Sequence, residues 1–142
     1  MKPRFVFLLA ALWWGSLSGL GFVVVPLLFT HLGSPAEAGA MAAKLFTAQT
    51  WLAVFCAMLL LMLLNKRDDV EVVPESRAAM SWVVAGMLLA LLVEFGVAAQ
   101  IVSARSTGGH LQLWHGLGSA MYVSQWLCVS WLLWRLTRSA AR

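Results

Sequence analysis

Glu94 is the one acidic side chain in the apolar run from Met80 to Val102. A charge in such surroundings costs about 2.5–3.5 kcal/mol on membrane-insertion scales unless water or a partner meets it. That cost points to a role in exchanging a proton, binding a cation or holding a ligand. Two other residues have the chemistry to join it. Lys44 would form an ion pair that offsets part of the cost of burying both charges. His115 would share a hydrogen bond with the carboxyl or act as a ligand. His115, Ser119, Tyr122 and Gln125 follow one another at i+4 and i+3 spacings, which on a helix lie along one face. The expected site is therefore a polar pocket of Glu94, His115, Lys44, Ser119 and Tyr122. Each has a plainer reading beside this one. A neutral Glu94 carboxyl would be satisfied by one hydrogen bond from a neighbouring helix, and the Lys44 amine would snorkel to the headgroups.

The elements that position these residues follow from composition. The chain has 142 residues, 61% hydrophobic and only 11% charged. A soluble domain carries about 25% charged residues, so lipid is the expected solvent. Four apolar stretches, near 5–30, 36–64, 78–103 and 112–135, reach the length of about 20 residues that a spanning helix needs. They predict an all-α fold: a single integral membrane four-helix bundle over 1–142, with up-down-up-down order because the connections are short. Lys2, Arg4 and the apolar stretch after them resemble a signal peptide, but apolar character continues through Phe29, so a retained first helix is expected.

The net charge of +4 has a topological reading. Lys2, Arg4, Lys66, Arg67, Arg77, Arg135, Arg138 and Arg142 fall on one side of the expected helices, and only Lys44 and Arg105 on the other. The positive-inside rule then places both termini in the cytoplasm, in a bacterial inner membrane. Basic residues arranged in this way speak against nucleic acid as the partner. The expected partners are the bilayer and a second membrane protein or copy of the chain.

Helical spacing refines the faces. Gly86, Ala90, Glu94 and Ala98 form an i+4 stripe that should face protein, as should the stripe from His115 to Gln125. Lys44, Thr47 and Trp51 share a face of the second helix. At about 1.5 Å per residue, Glu94, Lys44 and His115 lie roughly 14, 12 and 8 Å inside the outer helix ends, so all three belong to the outer half. Gly15-x3-Gly19 is a close-contact motif expected to pack within the bundle, with dimerisation as its alternative. Pro26 should kink the first helix. The Ser34-Pro35 pair, with Glu37 three residues after Ser34, should start the second helix. Cys56 and Cys128 lack metal or redox spacing and read as small apolar residues. Most of the eight tryptophans lie near helix ends and fit interfacial belts, whereas Trp51, Trp82 and Trp126 need packing explanations. His31, His110 and His115 fall on the outer side. No cofactor is required, with haem or copper at His115 as the alternative and no catalytic group expected.

Three segments carry a family resemblance. They are Phe22-Val-Val-Val-Pro26-Leu-Leu-Phe29, Pro35-x3-Gly39 with Ala43-Lys-Leu-Phe46, and Leu113-Trp-His-Gly-Leu-Gly118. Together they resemble a bacterial membrane family of unknown function that is similar to eukaryotic transmembrane protein 205. The resemblance implies a four-helix integral membrane protein and no catalytic activity. A more distant similarity is to four-helix membrane domains linked to copper resistance and to a haem-pathway oxidase, and it bears on His115 alone. The expected function is that of an accessory or transport-related membrane protein. The alternatives are a haem- or copper-binding redox protein and a structural subunit of a membrane complex.

Overall fold

The computed structural model describes the backbone of residues 2–65 and 74–140. The polar segment Asn65 to Ser76 reads from sequence as a linker; residues 66–73 of it lie outside the described residues, while Asn65 ends one helix and Pro74 to Ser76 begin the next. Within them the chain is all helical and forms four long rods. Rod one comprises α1 (Lys2–Gly19), a π-helical segment π1 (Leu20–Val24) and α2 (Val25–His31). Rod two is α3 (Pro35–Asn65). Rod three comprises α4 (Pro74–Leu92), a second π-helical segment π2 (Val93–Ala98) and α5 (Ala99–Thr107). Rod four is α6 (Leu111–Ala140).

Local chemistry sets the rod ends. Leu32 turns to extended backbone, and the Glu37 N–H donates to Ser34 Oγ at 3.2 Å, so Ser34 caps α3 and Pro35 occupies its first position. Gly108 closes rod three in the left-handed region at φ 71°, and the next amide, Gly109 N–H, returns to the Ala104 carbonyl at 3.1 Å. That conformation strains any residue with a Cβ. Pro26 does not break rod one, which stays helical from π1 into α2. A proline ring presses on the carbonyl four residues before it. The wider π turn directly before Pro26, where Val25 N–H reaches back to the Leu20 carbonyl, relieves that conflict without a break.

Each rod packs on the next, α1 on α3, α3 on α4 and α4 on α6, and α6 closes the ring on α1. Trp13, Leu17, Leu60, Val83, Val129 and Leu132 are the largest fully buried side chains. Small residues let the rods approach: a Cβ at Gly86 would lie 3.0 Å from the Trp13 indole. Rods one and four are tied by a reciprocal clamp. Trp14 Nε1 donates to Ser130 Oγ at 2.8 Å, and Trp126 Nε1 donates to Ser18 Oγ at 2.8 Å. Each serine donates in turn to the carbonyl of the tryptophan on its own helix, Ser18 to Trp14 and Ser130 to Trp126. This accounts for Trp126, which has no place in an interfacial belt.

The outward surface is apolar. Phe5, Leu8, Phe55, Met62, Leu92, Phe95 and Val102 are each more than half exposed. Among the described residues, three helices are long and apolar enough to cross a membrane: Arg4–His31, Pro35–Asn65 and Arg77–Thr107. Four were expected. Rod four has the length, but His115, Ser119, Ser124, Gln125 and Ser130 dilute its apolar character. The Gly15-x3-Gly19 motif also differs from expectation. A Cβ on either glycine would meet nothing within 4 Å, so the motif makes no close contact among the described residues.

Candidate functional site

Glu94 lies at the second position of π2, half-buried. Its partner is Thr47 of α3, whose hydroxyl donates to Glu94 Oε1 at 2.8 Å. π-helical turns inside α-helices are rare, add one residue to the turn and recur at functional sites. Here the wider turn carries the only acidic residue of rods three and four that lies beyond their first turns. Of the neighbouring glycines, Gly96 faces the surface, and Gly118 of α6 packs against rod three, where a Cβ would touch Val97 at 3.4 Å.

The outer half continues on the α3–α6 side. Phe46, next to Thr47, meets Tyr122 of α6 edge-on with centroids 5.2 Å apart. Tyr122 Oη donates to the Leu17 carbonyl at 2.9 Å, just ahead of π1. Its ring fills the space over Gly21, where a Cβ would come within 2.7 Å of the ring edge. Gly21 therefore serves as the seat of Tyr122. Inward of this layer, Gln49 Nε2 donates to Ser16 Oγ at 2.9 Å, and Gln49, Thr50 and Gln125 are buried.

The residues expected from sequence are not all brought together. Lys44 is exposed, and among the described residues it makes no ion pair with Glu94. His115 and Ser119 are exposed as well, whereas Tyr122 is half-buried and Gln125 buried. Their stripe does not face inward along its whole length. Ten residues at about 100° each fall short of three full turns by about 80°, so the stripe rotates from surface to core. On rod three, Gly86 and Ala90 are buried while Glu94 and Ala98 are half-buried. On rod two, Thr47 turns inward and Trp51 is 57% exposed. In the sequence Thr47 shares a helical face with Lys44 and carries no mark of a role. A hydroxyl one turn from a charged residue was the available signal.

Of the histidines, His31 Nδ1 lies 2.8 Å from Thr30 Oγ1 and 3.1 Å from the Leu27 carbonyl, a local arrangement at the end of α2. Among the described residues, no three His, Cys, Asp or Glu side chains are grouped to hold a metal ion. At the far end of the bundle, Trp82 packs on Trp131 and Trp131 on Trp134. The Arg135 guanidinium lies 5.7 Å from the Trp131 ring centre, and that of Arg138 lies 4.0 Å from the Trp134 ring centre. Arg105 packs its guanidinium on Gly39 of α3, where a Cβ would collide with it.

These features define an all-helical protein with three helices able to cross a membrane and one acidic residue set in a π turn. Residues 8–110 match the family described as a domain of unknown function, DUF4149, and the chain belongs to that family. No curated protein and no solved structure matches the chain.

Proposed function

We propose that the chain is a multi-pass protein of the bacterial inner membrane, accessory to or part of a transport process, in which Glu94 exchanges a proton or cation in the outer half of a four-helix bundle. The observation that carries this reading is the 2.8 Å hydrogen bond from Thr47 to Glu94 within π2. A half-buried carboxylate held by one neutral hydroxyl keeps most of its acceptor capacity for something else. Lys44 and His115, both exposed, would stand at the approach to this pair, with Ser119 and Tyr122 along the route.

Four spanning helices in up-down-up-down order are supported by the pairs between rods. Trp14 meets Ser130 while Ser18 meets Trp126, Thr47 meets Glu94 while Gly39 meets Arg105, and Gly86 meets Val129 while Val97 meets Gly118, so rods one and four, two and three, and three and four each run antiparallel. Cytoplasmic termini are supported by the eight basic residues on that side. The Trp–Arg cluster at 131–138 supports an interface there. The likeness to transmembrane protein 205 belongs to this proposal, as does any use of haem or copper at His115.

The test is Glu94→Gln, which keeps shape and loses charge. In proteoliposomes or cells it should abolish a pH-dependent response while membrane abundance is unchanged. An unaltered response at full abundance refutes the reading. A second reading, that of a structural subunit or homo-oligomer, is favoured by the open space over Gly15 and Gly19. It predicts that bulky residues there break a complex isolated in mild detergent and leave the monomer folded.

A further inference from the structure

Three indoles meet at the end of the bundle where α4 begins and α6 ends. Trp82 of α4 packs on Trp131 of α6 with ring centres 6.0 Å apart, and Trp131 packs on Trp134 at 4.7 Å. Each of the two α6 rings carries a cation from one turn further along its own helix. The Arg135 guanidinium lies 5.7 Å from the Trp131 ring centre, and that of Arg138 lies 4.0 Å from the Trp134 ring centre. The i+4 spacing of both pairs brings ring and cation together on the helix surface. Trp131 and Trp134 are 39% and 42% exposed, so this platform is open to its surroundings.

The rings hold the cations without neutralising them. An indole face attracts a guanidinium through its quadrupole but offers no lone pair to its N–H groups. The donors of each arginine are therefore left for an oxygen anion, and among the described residues neither arginine has an acidic partner. The planar fork of a guanidinium matches two phosphate oxygens at once. A third cation stands at the same level. Gly86 meets Val129 across rods three and four; Arg77 comes nine residues before Gly86, and Arg138 nine after Val129. Arg77 is exposed as well.

Apolar surface continues inward from the cluster. Leu127 and Val123, one and two turns from Trp131 toward the middle of the bundle, are 55% and 45% exposed. Cations at the rod end, amphipathic rings beside them and exposed apolar side chains below match the parts of an amphiphile: anionic headgroup, interfacial region and acyl chain. A small free anion would use only the first of these. We propose that Arg135 and Arg138, held on Trp131 and Trp134, bind the phosphate of an acidic phospholipid in the leaflet at this end of the bundle. This rests on the reading of the chain as a membrane protein and names the lipid class it selects.

The test uses the full chain in a neutral mild detergent, with lipid adducts counted by native mass spectrometry as phosphatidylglycerol or phosphatidylcholine is added. A basic residue at the headgroup layer is worth about fivefold in affinity, so the two arginines should favour phosphatidylglycerol on the order of 25-fold. Arg135→Gln and Arg138→Gln should each remove about fivefold of that preference. Trp134→Leu, which keeps the charge and removes its platform, should reduce it too, with helical content by circular dichroism unchanged. Equal affinity of the unsubstituted chain for the two lipids overturns the proposal, as does a preference that survives the double arginine variant. Asp68, Asp69, Glu71 and Glu75 come shortly before Arg77 in the sequence. A preference that emerges only after these four are replaced by Asn and Gln makes them the partners of the arginines and overturns the lipid site. Adducts displaced by millimolar inorganic phosphate make it a site for a free anion instead. A chain that stays folded and soluble without detergent or lipid overturns the membrane reading itself, whereas one that needs them and shows no preference overturns only the lipid site.

Discussion

Replacing Ser18 and Ser130 by alanine tests the energetic weight of the clamp between rods one and four. Each substitution removes the acceptor of one indole N–H: Ser18→Ala leaves Trp126 unpaired, and Ser130→Ala leaves Trp14 unpaired. Interhelical hydrogen bonds within membranes average about 0.6 kcal/mol and reach at most about 1.7 kcal/mol. Each single variant should therefore lower the folding constant about threefold. The double variant should lose on the order of 1.2 kcal/mol, about eightfold. Loss of a serine also removes a side-chain bond to its own helix and raises helix propensity, so a control is needed. Ser124 supplies it, because its hydroxyl is exposed and bonds only to the Ala120 carbonyl at 2.8 Å on its own helix. The assay is reversible unfolding in mild detergent with rising dodecyl sulfate, followed by tryptophan fluorescence. If Ser18→Ala and Ser130→Ala match Ser124→Ala, the two bonds carry no net stability and the reasoning fails.

Three further predictions use other contacts. Thr47→Val keeps the volume but removes the donor to Glu94, so it should weaken the Glu94-dependent response at unchanged membrane abundance while Thr47→Ser restores it; an unchanged response in Thr47→Val excludes the Thr47–Glu94 bond from the process. Gly21→Ala puts a methyl group against the Tyr122 ring and should cost about 1–3 kcal/mol in the same unfolding assay, whereas Gly15→Ala, facing open space, should stay within about 0.5 kcal/mol. Reporter fusions should place the C-terminus and the 66–73 segment in the cytoplasm and the 106–109 turn outside; a C-terminus on the side opposite the 66–73 segment would overturn the four-span topology, and both on the periplasmic side would overturn the orientation.

Much of the architecture was legible because its determinants are local. Ser34, Pro35 and Gly108 announce helix ends through their own side chains and dihedral freedom, and long apolar runs announce rods. The π segments were not legible. One extra residue in a turn leaves hydrophobic composition unchanged, and fixed i+4 counting passes straight through it. Fixed spacing also misjudged the stripe from His115 to Gln125, because a helix does not repeat after ten residues. Glu94 stood out by its charge, whereas Thr47 did not, since a threonine in an apolar helix is commonplace and its role depends on the rod opposite. The clamp had a visible signature, Trp-x3-Ser on two helices, at Trp14–Ser18 and Trp126–Ser130. Its meaning required knowing that those helices are neighbours.

The π2 segment has a consequence for rod three as a whole. The inner half of the rod is keyed by Gly86 beneath Trp13, and the outer half by Arg105 lying on Gly39 of the second rod. A straight α-helix would carry a fixed phase from one lock to the other. The extra residue in the wide turn acts as a vernier, holding the outer half about 100° behind the position that an uninterrupted α-helix would give the same residues. Deleting a single residue there, such as Gly96, would let the wide turn close to an ordinary α turn with both locks still in phase, so the rod should keep its packing and lose only the wide turn around Glu94. Glu94 sits at the adjustment point, and any motion that slides the π turn along the rod would carry the carboxylate with it.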